Sequence, residues 1–347
     1  MPGFHCPWPW RRVFGPLLGL LVLLALGLTV GGPAHAERPP VLLRFSHVVA
    51  PNTPKGQMAL RFQALVQQRS HGRIRVEVYP DSQLYGDEDE IEALRLGAVE
   101  MLAPSLSKFG PAGIPEFEVF DLPFLFRDLA EVRRVTQGPV GRQLLERLGR
   151  QQMVGLGFLD NGFKQMSARR PLRTPADFAG QRLRVQASRV LVAQMQSLGA
   201  QAVILPFGET RRALAQGVVD GTENPLTNFV TQGLAQVQTD LTLTQHGYLG
   251  YAVVTHPRFW NSLSAPDRAL LSQALADALD WGNQRSAELN QHALEQLRRT
   301  PGLSIHELSK PQRAALRQQV QPVYDGFSRS LGSELLTQVR QAVSDAL

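Results

Sequence analysis

Thiols are almost absent from this chain: of its 347 residues only Cys6 is a cysteine. Cys6 lies inside an N-terminal segment that reads as an export signal, away from its cleavage site, so it is neither a lipid attachment point nor half of a disulfide. The chain that follows is blind to the redox poise of its compartment. Enzyme signatures are missing as well. The sequence has no Gly-x-Ser-x-Gly elbow, no His-Glu-x-x-His and no phosphate-binding glycine loop. The eight histidines are scattered without metal-ligand spacing, which leaves no implied metal or other cofactor. Runs of Lys and Arg and stripes of alternating aromatic and basic residues are also lacking, so nucleic acid is not an expected partner.

What is present begins with Arg11 and Arg12, an apolar stretch over 17–30 and Ala34-His35-Ala36. This is the order of a secretory signal cleaved after Ala36. An uncleaved anchor is the alternative, and Arg11-Arg12-Val13-Phe14 resembles a twin-arginine signal, though general secretion is the expected route. Removal of 36 residues would leave 311 and would lower the formal charge from +6 to +4, since two basic residues and no acidic one would go. That length suits two α/β domains.

Apolar runs alternate with helical patterns along the rest, the sign of an α/β fold. Strands are expected over 41–47, 73–79, 99–103 and 153–159, the last ending at Asp160-Asn161-Gly162, with a domain boundary near Gly162. Helices are expected over 54–70, 87–96 and 129–150. Four acidic residues open the 87–96 helix, where they would complement its dipole. Ser264-Ala265-Pro266 starts a helix that runs to Arg299, a rod of about 50 Å that should lie along both domains and bend at Gly282-Asn283.

The most informative stretch runs from Asn161 to Asn228. Lys164 follows an expected strand exit, and Arg184 sits in a short alternating strand with Arg182. An arginine fork binds a carboxylate through two parallel hydrogen bonds. The turn-rich GVVDGTENP, Gly217 to Pro225, adds an amide, and Asp220 and Glu223 are read as ordering their own turn. Two cations and an amide without a nucleophile favour capture of a small anion over chemistry.

Ordered words then carry a family resemblance: FSHVVAPNTPKG (45–56), VYPDSQLYGDEDEIEALRLGAVEM (78–101), FDLPFLF (120–126), NGFKQMSARRPLRTPADFAGQRLRVQ (161–186), LGA (198–200), GVVDGTENPLTNFVTQ (217–232) and HGYLGYAVV (246–254). The chain resembles the extracytoplasmic solute receptors of tripartite ATP-independent periplasmic (TRAP) transporters, in the DctP-type, four-carbon dicarboxylate branch. The resemblance implies a two-lobed α/β fold of the periplasmic-binding-protein kind, hinged by crossing strands and a long helix that spans both lobes, with a ligand cleft between them. Lobe I would comprise 37–161 with about 250–285, lobe II 162–249, the long helix 265–299 would span both, and 300–347 would pack on the lobes as a strand and helices.

Carried over by position, Arg184 is the carboxylate clamp, Asn224 its amide partner, Phe207 an aromatic wall, and Lys164 stands where many members have a second arginine. His47, Lys55, Ser105 and Asn228 fall at cleft-facing positions, although Lys55 reads equally as surface and His47 as a satisfied core histidine. The implied function is a monomeric periplasmic receptor for succinate, fumarate or malate, with Arg184 on one carboxylate and Lys164 on the other. It would deliver its ligand to the small and large membrane subunits of an ion-driven permease. A monocarboxylate, a 2-oxo acid or an aromatic acid as ligand, and a sensor or enzyme on the same fold, stay open from the residues alone.

Overall fold

The computed structural model describes residues 40–344. The expected signal, its cleavage after Ala36 and Cys6 lie outside them. Among the described residues, no helix is long and apolar enough to cross a membrane.

The fold is α/β, as expected, around one sheet of nine strands. In chain order these are β1 (Val41–Ser46), β2 (Ile74–Tyr79), β3 (Met101–Leu102), β4 (Val154–Ala168), β5 (Arg182–Val185), β6 (Gln201–Ile204), β7 (Gly221–Asn224), β8 (Asp240–Thr255) and β9 (Ser304–Glu307). Across the sheet they run β2-β1-β3-β8-β4-β7-β5-β6, with β9 beside β8. In β1 the two-residue alternation turns Leu43 and Phe45 into the core. They meet Met58, Phe62 and Leu65 from the helix Pro54–Ser70, whose first turn Thr53 caps by accepting a hydrogen bond from Gly56 N. Phe45 and Phe62 meet edge to face at 6.2 Å. Each such ring buried contributes about 1.5–3 kcal/mol, and Phe62→Ala, which would leave a cavity, should cost about 3–5 kcal/mol.

The strand expected over 153–159 does not stop at Gly162. It continues as β4 to Ala168, antiparallel to β8 from Val154↔Thr255 to Ala168↔Asp240. At one end β8 also pairs with β3, and at the other β4 also pairs with β7, so the same two strands serve both ends of the sheet. The turn-like residues Asp160-Asn161-Gly162 are instead a bulge where the register shifts. Gly162 takes φ +145°, and a Cβ there would fall 2.8 Å from Asn290 Nδ2, so only glycine fits. The bulge takes Asp160 N–H and Asn161 C=O out of the ladder. Asn283 Oδ1 accepts from Asp160 N at 2.7 Å and Asn290 Nδ2 donates to Asn161 O at 2.6 Å. These asparagines are seven residues apart and share a helix face.

Both belong to the helix Ala265–Arg298, which is capped by Ser264 and runs through Gly282 and Asn283 without interruption. At Gly282 this helix closely approaches its neighbours: a Cβ would lie 2.9 Å from Leu159 Cδ1 and 3.0 Å from Met58 Cβ. Two other helices differ from expectation. The segment 129–150 is two helices, Leu129–Thr136 and Pro139–Arg147, because Pro139 has no N–H to continue the first and instead begins the second. The acidic 87–96 segment is helical only over Glu90–Arg95, and Asp87, ahead of it, is held by Lys108, as described below.

Candidate functional site

Where β5, β7 and the 3-10 turn Phe207–Glu209 face the start of the helix Pro54–Ser70 and the 3-10 turn Leu106–Lys108, the chain leaves a narrow cavity of about 20 Å3. It lies beyond the carboxyl ends of parallel strands, where α/β sheets place ligands. Seven of the eight expected residues line it: Lys55, Ser105, Lys164, Arg184, Phe207, Asn224 and Asn228. Lys55, which read equally as surface, is only 1 % exposed.

His47 is the exception. It is fully buried beside Phe45, does not line the cavity, and has the Val49 backbone as its polar neighbour, so it sits as a core histidine rather than a cleft residue. Its place at the end of β1 turns the ring into the core. Burial, with Lys55 adding to it, pulls its imidazole down to about 3.

Four cations line the cavity, and their partners divide them into two kinds. Lys108 is held by both Asp87 and Glu90. This explains why the acidic run does not simply decorate a helix terminus: two of its carboxylates, Glu90 buried and Asp87 largely so, serve as counterions. Lys164 lies mid-strand on β4 rather than at a strand exit, and its Nζ is 2.7 Å from Glu223 Oε1 and 3.9 Å from Asp121. Glu223 does not order its own turn. It sits on β7 and accepts from Lys164 on one oxygen while its other lies 2.8 Å from His246 Nε2. Burial alone would raise the Glu223 carboxyl; Lys164 and His246 outweigh it and hold it down at about 2. Burial pushes Asp121 up to about 6, against the pull of Lys164 and of the Ser107 and Ser188 hydroxyls.

The other two cations have no carboxylate within ion-pair distance among the described residues. Arg184 is 2 % exposed, and its Nε donates to Leu205 O at 2.9 Å, which orients the guanidinium. Burial lowers its pKa, opposed by the more distant charges of Asp87 and Glu223. Its neighbour Arg182 takes the opposite fate, partly exposed and forked onto Asp220, which therefore serves Arg182 rather than only its own turn. Lys55 Nζ donates to Ala103 O at 2.9 Å and lies 4.0 Å above the Tyr251 ring. Burial draws its ammonium down to about 7, despite Glu90 and Asp87.

The neutral lining is partly spoken for. Asn228 Oδ1 accepts from Asn161 Nδ2, whose other bond goes to Tyr251 Oη. Asn224 Nδ2 donates to Thr222 Oγ1 at 3.3 Å. Phe207 packs on Val48 and Val49, as a wall should. Two contacts span the cavity: Phe207 N donates to Asp87, and Gln186 Nε2 donates to Ser105 Oγ at 2.7 Å. Sequence reasoning missed Lys108, Gln186 and Tyr251 as lining residues, and Glu223 and His246 as partners. Among the described residues no cluster of His, Cys, Asp and Glu could hold a metal.

A family model, bacterial extracellular solute-binding protein family 7 (DctP), matches residues 45–330. The chain is 46 % identical to the C4-dicarboxylate-binding periplasmic protein DctP of Rhodobacter capsulatus, over 96 % of this chain and 99 % of that one. Its fold is similar to that of a TRAP periplasmic solute-binding protein of Shewanella oneidensis with bound succinate, at 41 % identity and a TM-score of 0.86, covering 88 % of this chain and 100 % of that one. A TRAP periplasmic solute-binding protein of Pseudomonas aeruginosa with bound L-malate is also similar, at 41 % identity and a TM-score of 0.81, covering 83 % and 100 %.

Proposed function

The chain belongs to the DctP family of bacterial extracellular solute-binding proteins, and from that premise we propose that it is a periplasmic TRAP receptor that captures a four-carbon dicarboxylate. It is a receptor and not an enzyme. Its ligand passes to the transporter's membrane subunits, and its residues divide into two lobes joined by β4, β8 and the helix Ala265–Arg298.

One observation carries the reading. Of four cations lining the cavity, Arg184 and Lys55 have no ion-pair partner among the described residues, and a ligand with two carboxylates supplies one to each. Desolvating a dianion costs far more than neutral hydrogen bonds return, so each carboxylate needs a charged partner. Arg184, fixed through Nε, offers its two terminal nitrogens as a fork. Lys55 meets the second carboxylate. Lys164, already neutralised by Glu223, shapes the wall between them rather than serving as the second clamp. The amides of Asn224 and Asn228 complete the ligand's hydrogen bonds, and the Asp87–Phe207 and Gln186–Ser105 contacts hold the lobes together around it.

Titration calorimetry with succinate, fumarate, L-malate and butyrate tests this. One-to-one binding of a dicarboxylate, with the acid recovered unchanged, is expected. Binding of butyrate alone, or turnover of the acid, would contradict it.

A further inference from the structure

We propose that Lys55 gains a proton as the ligand enters, so that capture of the dianion is linked to proton uptake near neutral pH; the inference rests on the dicarboxylate reading above. The geometry is that of an ammonium lodged where no carboxylate of the described residues comes within ion-pair distance. Lys55 is on the first turn of its helix, almost fully buried, and its contacts are one carbonyl and one aromatic face. These return less than the cost of removing an ammonium from water.

The groups that act on it from each packed element are few. Asp87 and Glu90 favour the charged form, but both are engaged by Lys108, which itself opposes a second positive charge. His47, at the end of β1, is coupled to Lys55 as well, and Tyr251 on β8 offers only its ring and its hydroxyl. Across the cavity Arg184 is another cation, and Lys164 is closed off by Glu223. Burial therefore brings Lys55 to about 7, where an arriving carboxylate decides its protonation.

The sign follows from linkage. Binding raises the affinity of Lys55 for a proton, so the ligand binds most tightly where Lys55 is already charged and more weakly as pH rises above about 7, by about tenfold per pH unit. Below that point the dependence on Lys55 fades. Neighbouring groups leave a different mark. Asp121, ionised above about 6, is the other group able to take up protons over this range, and Lys55→Arg separates its uptake from that of Lys55, while His47 at about 3 and Glu223 at about 2 do not titrate in this range. A dicarboxylate captured as its dianion releases protons, the opposite sign.

The test is titration of the purified protein with succinate at pH 6, 7 and 8, each in two buffers of different ionisation enthalpy. Net proton uptake per ligand should rise from pH 6 to pH 8, as expected of a group titrating near neutrality. Lys55→Arg, permanently charged, should bind without uptake, and Lys55→Met should bind more weakly and also without uptake. Should neither variant fold, the wild-type pH series decides. Succinate bound with no buffer dependence at pH 8, or with uptake that survives Lys55→Arg, would overturn the linkage and leave the receptor reading intact. No binding of succinate at any pH would overturn both.

Discussion

Lys164 Nζ and Glu223 Oε1 meet at 2.7 Å between the adjacent strands β4 and β7, with both side chains only 2 % exposed. A buried pair contributes little net stability, yet removing one member strands the other's charge. Glu223→Gln should therefore cost about 3–5 kcal/mol. The double variant Lys164→Met with Glu223→Gln should recover much of that loss. Urea unfolding of the three proteins measures both differences.

The same pair sets an acid limb of stability. Glu223 is held at about 2 in the folded protein, below its ordinary 4.5. Its contribution is fully present above pH 4.5 and is lost as pH falls towards 2, because the unfolded chain binds the proton first. Stability measured against pH should therefore fall less steeply over this range in Glu223→Gln than in the wild type. An unchanged slope would assign the limb to other carboxylates.

Ligand affinity should depend most on Arg184. Arg184→Ala should weaken succinate binding by about 2–5 kcal/mol, roughly 30- to several thousand-fold, since one ligand carboxylate would be buried without a partner. Arg184→Lys keeps the charge and loses the fork, so an intermediate loss is expected. Calorimetry on variants with native circular dichroism checks the order.

Packing at the long helix gives a prediction independent of the ligand. A methyl group at Gly282 would press on Leu159 and Met58. Gly282→Ala should cost about 1–3 kcal/mol through overpacking, read as a lowered midpoint of thermal unfolding.

Much of this fold is legible in local pattern. The alternation of Val41-Leu42-Leu43-Arg44-Phe45, the helix from Pro54 to Ser70 and the rod from Ala265 all rest on neighbours within a few residues, and the structure has them where the pattern does. The course of β4 is not of that kind. Asp160-Asn161-Gly162 has turn chemistry, and only the facing β8 and the amides of Asn283 and Asn290 make it a bulge within a strand. The cavity divides similarly. Arg184 and Asn224 lie in ordered words and Phe207 follows by position in Leu205-Pro206-Phe207-Gly208-Glu209, and each lines the cavity. The role of Lys164 depends on Glu223, 59 residues away in sequence, and that of Lys55 on the absence of such a partner. A sequence shows that a lysine is present but not which carboxylate reaches it. Only the fold separates a neutralised lysine from one still able to meet a ligand.

The decisive measurement compares succinate with butyrate, which lacks one carboxylate, on the wild-type protein and on Lys55→Met at pH 7. If Arg184 and Lys55 each hold one carboxylate, the wild type should prefer succinate by about 100-fold or more, and Lys55→Met should lose most of that preference, as removal of one partner of a charge pair requires. A Lys55→Met protein that is folded and still prefers succinate to the same degree would contradict the assignment and return the second carboxylate to another partner.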